Sequence, residues 1–88
     1  MVLDDVTISD IVNDLWPGSH VQLAHAAGMA RNTLRRVMRA DYKSPPQAHL
    51  ITLLRVLEPK LRRYKVTLTI DDMLAAYLRQ KARRLDDS

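Results

Sequence analysis

Hydrophobic positions recur along most of this chain at intervals of three and four, the period of a helix that buries one face. Residues 7–15 (TISDIVNDL) place Ile8, Ile11, Val12 and Leu15 on one side, with Thr7 or Ser9 as cap. Trp16-Pro17-Gly18 stops this helix: Pro17 disfavours the helical region for Trp16, and Gly18 frees the turn. Ser19 caps a second helix, about 20–27, which Gly28 closes because glycine enters the left-handed region cheaply. A third helix, about 31–39, buries Leu34, Val37 and Met38 and leaves its arginines on the other faces. Ala40 to Lys43 forms a loop. In Ser44-Pro45-Pro46-Gln47, Ser44 caps, Pro45 sits where no donor is missed, and Gln47 completes a capping box. The fourth helix, about 45–57, then buries Leu50, Leu53, Leu54 and Leu57, and Pro59 ends it.

The pattern changes after Pro59. Tyr64, Val66, Leu68 and Ile70 alternate with Lys65, Thr67 and Thr69, and this period of two predicts a β-strand over about 64–70. The segment MVLDDVTI is a weaker second strand. A last helix, about 71–84, starts from Thr69 or Asp71 and carries an apolar stripe of Ile70, Met73, Leu74, Tyr77, Leu78 and Leu85. Its acids come first and Arg79, Lys81, Arg83 and Arg84 last, the order that suits the helix dipole. The expected fold is mostly α: a four-helix core over about 7–58, then one strand and a C-terminal helix. As domains, this is a core at 1–59 and a strand-helix extension of the same compact unit at 60–88.

The chain has 88 residues, 47% of them hydrophobic, which is enough for one domain with a modest core. With no phenylalanine and one tryptophan, that core is aliphatic, which favours helices. The absence of cysteine excludes disulfides and thiolate chemistry and permits a reducing cytoplasm. No apolar run approaches the roughly 20 residues that span a bilayer, and the acidic start MVLDDVTISD lacks the basic opening of a secretory signal. A cytoplasmic protein of a bacterium, phage or mobile element is expected.

Charge sharpens the picture because it is unevenly placed within a net +4. Residues 1–15 hold four acids and no base, whereas residues 31–43 hold five bases and one acid, Asp41. A basic face of this kind suits a polyanion, whose phosphates release counterions on binding, although a plain solvated helix face has the same composition.

The segment LAHAAGMARNTLRRVMR joins two short helices by a glycine turn. Ala24 is small where the helices cross, and Leu23, Met29, Leu34 and Val37 fill the angle between them, the steric recipe of a helix-turn-helix. In Ala24, Gly28, Met29, Leu34 and Val37, residues 20–39 resemble the helix-turn-helix of the Cro/cI-type, xenobiotic-response-element-like regulators. The Ser44-Pro45-Pro46 start and leucine-rich helix resemble that family's fourth helix, so the resemblance covers about 7–58. Three positions depart from it. The family often has serine or threonine where Ala30 stands, and glutamate then glycine where Met38 and Ala40 stand.

The resemblance implies a sequence-specific transcriptional regulator, with base reading at the positions of Arg31, Asn32 and Arg36. The side-chain chemistry agrees, since arginine forks onto guanine O6 and N7 and asparagine pairs with adenine N6 and N7. Thr33, Arg35, Arg39 and Lys43 are better placed for phosphates, as are Ser19, His20 and Gln22 at the start of the second helix. Two alternatives stay open: Arg35 and Arg39 as solvated i,i+4 neighbours, and Asn32 as a local cap partner near Ala30.

A single strand leaves its backbone groups without partners. Pairing with the same strand of a second copy supplies them, so a homodimer is expected through Tyr64, Val66, Leu68, Ile70, Met73, Leu74, Tyr77 and Leu78. The alternative is a hairpin with the N-terminus, with the last helix on the monomer's own core. A repressor of this type binds a near-palindromic site in duplex DNA. The competing function is an antitoxin that autoregulates through the same core and offers its C-terminal segment to a toxin; a nonspecific architectural protein is a third. Catalysis is not expected. His20, His25 and His49 form no ligand cluster, Ser19 is explained as a cap, the acid pairs Asp4-Asp5, Asp71-Asp72 and Asp86-Asp87 fit helix ends or tails, and no metal, phosphate-loop or other cofactor motif is present.

Overall fold

Three reciprocal capping boxes start three of the five helices. The structure, a computed structural model, describes residues 5–86, and its helices are α1 (Ile8–Leu15), α2 (His20–Ala27), α3 (Arg31–Met38), α4 (Gln47–Arg63) and α5 (Ile70–Asp86). At α1 the Asp10 amide donates to Thr7 Oγ1 (3.2 Å) and the Thr7 amide to Asp10 Oδ2 (3.1 Å). Ser19 and Gln22 do the same for α2, and Thr69 and Asp72 for α5. Each box satisfies two amides that a helix start otherwise leaves open.

Three helices end alike. The Met29 amide donates to the Ala24 carbonyl, Asp41 to Arg36, and Val66 to Leu61, and the residue just before each donor is left-handed: Gly28 at φ 65°, Ala40 at 54° and Lys65 at 54°. This six-to-one closure turns the chain sharply and satisfies the helix's last carbonyls. Ala40, where the resemblance places a glycine, holds the strained conformation while its methyl is fully buried. The burial of that methyl offsets the strain.

The helices enclose one core. Ile8, Ile11, Val12 and Leu15 of α1 meet Leu23, Leu34, Val37, Leu50, Leu53, Leu57 and Leu61 from α2, α3 and α4. Met73, Ala76 and Tyr77 of α5 are each 0% exposed within the same cluster. α2 packs on α3 and α4, while α5 packs on α1, α3 and α4.

The expected β-strand is absent: among the described residues there is no strand at all. Tyr64 closes α4 and Lys65 is left-handed, so the segment cannot be extended from its start. Residues 66–69 link α4 to α5 without a backbone partner strand. The alternation survives as burial, with Leu68 buried, Val66 and Ile70 packed on the core, and Thr67 and Thr69 exposed. A period of two records two faces of an extended linker; it does not require pairing. Of the weaker second strand over MVLDDVTI, residues 5–8 form no strand and lead into α1 at Ile8, while residues 1–4 lie outside the described residues, as does Asp87 of the acid pairs.

α4 also differs from expectation at both ends. It starts at Gln47 with Pro46 at the cap position and no side-chain cap bond, so Ser44 does not cap it. The reason lies in Pro45, which is kept out of the helical region by the proline that follows it. The helix then passes through Pro59 to Arg63. Pro59 and Arg55, whose carbonyl loses its amide partner, both face solvent. Continuing the helix buries Leu61 beside Leu57 on the core face, which offsets the proline's cost.

Candidate nucleic-acid interface

α3 divides cleanly around its axis. Leu34, Val37 and Met38 face the core at 1%, 0% and 7% exposure. Arg31, Asn32, Arg35, Arg36 and Arg39 are all exposed on the remaining arc, and Thr33 is half-buried at its edge. The turn after Gly28 sets this arc outward. No side chain caps α3 at Ala30, so Asn32 does not serve as the local cap partner that sequence left open.

The charge on this arc is not cancelled. Among the described residues, the ion pairs are Arg62–Glu58, Arg83–Asp10 and Arg84–Asp41, and none involves an arginine of α3. Asp41, the one acid in the segment 31–43, gives its carboxylate to Arg84 at 3.0 Å. Its removal from α3 leaves four guanidiniums in one exposed field, each able to fork onto phosphate or a base edge.

Among the described residues, Arg36 is the one arginine of α3 with partners that hold its side chain in place. Its guanidinium lies over the Tyr42 ring, 4.2 Å from the centroid, and Nη2 donates to the Asp41 carbonyl at 3.2 Å. The Tyr42 ring also has His49 nearby, tilted at 45° with centroids 6.2 Å apart. One of five N–H donors is used, so the others stay available.

At the start of α2, Ser19 accepts the Gln22 amide and Gln22 Oε1 accepts the Ser19 amide. The acceptor atoms are therefore engaged in capping, while the Ser19 hydroxyl proton and the Gln22 NH2 group remain as donors. Ser19, His20, Gln22 and Lys43 are exposed. Ser19 and His20 share a cleft with Arg31, Arg35 and Arg39. The structure thus brings Ser19, His20 and these three arginines together, and places Gln22, Asn32, Thr33, Arg36 and Lys43 outside that cleft.

Residues to which the sequence assigns other roles fix this frame. The Tyr77 hydroxyl accepts the Tyr42 amide at 3.1 Å, and burial pushes the Tyr77 phenol above its ordinary pKa, opposed by that bond. Lys81 Nζ donates to the Tyr42 and Lys43 carbonyls, and Arg84 to the Ala40 carbonyl. Arg79 and Arg83 donate to the carbonyls of Val6 and Asp5. The basic end of α5, expected to serve the dipole, clamps the loop behind α3 and the entry to α1. Ser9 ties α1 to α3 through its hydroxyl on the Met38 carbonyl at 3.1 Å. A pattern of charge could not show these bonds, because their partners are backbone carbonyls remote in sequence.

The segments assigned to a dimer are divided. Leu68, Met73 and Tyr77 are 8%, 0% and 0% exposed in the chain's own core and are not available to a second copy. Tyr64 and Leu78 are exposed at 58% and 52%, and Val66, Ile70 and Leu74 are half-buried. No helix among the described residues is long and apolar enough to cross a membrane. Compared with family models, curated proteins and solved structures, the chain matches none.

Proposed function

We propose that this protein is a sequence-specific DNA-binding regulator of transcription that inserts α3 into the major groove of duplex DNA. The observation that carries the reading is the exposed arc of Arg31, Asn32, Arg35, Arg36 and Arg39, free of carboxylate partners among the described residues and set on a glycine-turned helix pair. Arg31, Asn32 and Arg36 read base edges, and Arg35, Arg39, Thr33, Lys43 and the α2 start hold phosphates. Selection of bound duplexes from a random pool tests this. A recovered near-palindrome with half-sites about one helical turn apart supports it, and a pool without enrichment overturns it. Within a selected site, Arg36→Ala relaxes base preference, whereas Arg35→Ala weakens all sequences alike and lowers the salt slope by about one.

The homodimer is retained on a different surface. A strand ribbon has no basis, but on α5 Leu78 is 52% exposed, one turn beyond the half-buried Leu74 that packs on the core. An isologous contact there pairs two copies about a two-fold axis. Sedimentation giving twice the chain mass supports the dimer, and a monomer at micromolar concentration overturns it. The antitoxin alternative is less favoured, because α5 is built into the core through Met73, Ala76 and Tyr77 and is not a segment to give away.

A further inference from the structure

A cleft of about 420 Å³ lies between the first turn of α1, the start of α2 and one face of α3. Its two kinds of wall do not match the phosphate backbone alone. Val21 supplies the apolar side, over a floor formed by the nearly buried Leu34 and Met38, and Arg31, Arg35 and Arg39, spaced four apart, supply a cationic one. Val21 is 51% exposed, a large apolar side chain with its outer surface toward the cleft. The three arginines have no carboxylate partner among the described residues. The volume lies within the roughly 300–1,000 Å³ typical of small-molecule sites, which combine apolar walls with a few convergent polar groups.

We propose that this cleft binds a small amphipathic organic anion, with a carboxylate on the guanidiniums and an apolar body against Val21, Leu34 and Met38, and that its binding excludes DNA. Carboxylate recognition follows from the arginine fork, which takes two parallel hydrogen bonds. Burial of the ligand's chain explains why an anion-binding face keeps an exposed valine beside it. Exclusion follows from shared residues, since Arg31, Arg35 and Arg39 also belong to the DNA-facing arc. The exclusion rests on the DNA-binding reading; the binding does not.

Trp16, the only tryptophan, reports on the site. Its indole Nε1 donates to the carbonyl of Ser19, a cleft residue, at 3.0 Å. The experiment titrates the full chain with octanoate, followed by calorimetry and Trp16 fluorescence, with octanol and inorganic phosphate as controls. Saturable one-site octanoate binding is expected, with both controls at least about ten-fold weaker. Arg35→Gln, and separately Val21→Ser, weakens octanoate; for Arg35→Gln the loss is about ten-fold, the worth of one charge-assisted hydrogen bond. Circular dichroism confirms that both surface variants keep their helices. Phosphate binding as tight as octanoate, no saturable octanoate binding, or unchanged affinity in both variants overturns the site. Octanoate at saturation is also expected to weaken binding to selected DNA. Unchanged DNA affinity in its presence overturns the exclusion, whereas a chain that binds no DNA leaves the calorimetric result standing and fails the function instead.

Discussion

The Arg36 guanidinium rests on the ring of Tyr42, six residues further along, at 4.2 Å from the ring centroid. The pair spans the left-handed turn at Ala40, which brings the chain back beside α3. An arginine on a bare helix loses rotamer freedom when it binds; one already seated on an aromatic face has lost part of it beforehand.

On the proposed DNA-binding reading, Tyr42→Leu is expected to weaken DNA binding without unfolding the chain. The Tyr42 backbone bonds to Tyr77 and Lys81 do not involve its ring and remain. A cation–π contact at an exposed site is worth about 0.5–1 kcal/mol, so the loss is about two- to five-fold in Kd. Fluorescence anisotropy on selected and scrambled duplexes measures it. A larger loss on the selected duplex places Arg36 at a base, and an equal loss on both places it at phosphate.

Tyr77→Phe tests the support beneath that pair. Tyr77 is 0% exposed, and its hydroxyl is the acceptor for the Tyr42 amide. Phenylalanine keeps the packing and leaves the amide without its partner, a cost of about 1–2 kcal/mol for a part-buried group. Urea unfolding of the two chains gives the difference from the midpoint at unchanged slope.

The left-handed helix ends give an opposed pair of substitutions. A Cβ at Gly28 meets nothing within 4 Å, so Gly28→Ala is opposed by its φ of 65° alone. The strain of about 1–2 kcal/mol, less about 0.4–1 kcal/mol from a stiffer unfolded chain, leaves a net loss near 1 kcal/mol. Lys65, exposed at φ 54°, is the reverse case. Lys65→Gly is expected to raise the thermal midpoint, and Gly28→Ala to lower it.

What was legible in the sequence divides by range. The caps of α1, which the sequence offers as Thr7 or Ser9 and the structure resolves to Thr7, and of α2 at Ser19 are legible because a cap is closed within four residues, and Gly28 marks a helix end for a similarly local reason. Pro59 misled because the decisive fact, burial of Leu61, lies in tertiary packing. The segment 64–70 misled because alternation reports which faces are wet, and Val66, Leu68 and Ile70 found their cover on helices. In the candidate site, the exposed residues of α3 were legible from the helical period. Tyr42, Tyr77, Lys81 and Arg84 were not, since a loop carries no period that reveals what will reach it.

Asp10 sets a pH dependence of stability. The Thr7 backbone N–H, donating to Oδ2, holds the Asp10 carboxyl below its usual pKa; partial loss of water opposes this, and the Thr7 side chain and Arg83 add to it. A carboxyl whose pKa is lowered by folding contributes stability that is complete above its unfolded pKa and is lost as pH falls through the folded one. Other carboxylates titrate in the same region, so the informative quantity is the stability of the native chain minus that of Asp10→Asn. This difference is expected to be constant from neutral pH down to about 5 and to shrink below about pH 4. Urea unfolding at a series of pH values measures it. Because the group is largely solvent-exposed, the effect is modest, and added salt reduces only the Arg83 part. A difference that holds steady through pH 3 would mean that the Thr7 bond does not favour the ionised carboxylate, and that α1 is held by the burial of Thr7, Ile8 and Ile11 instead.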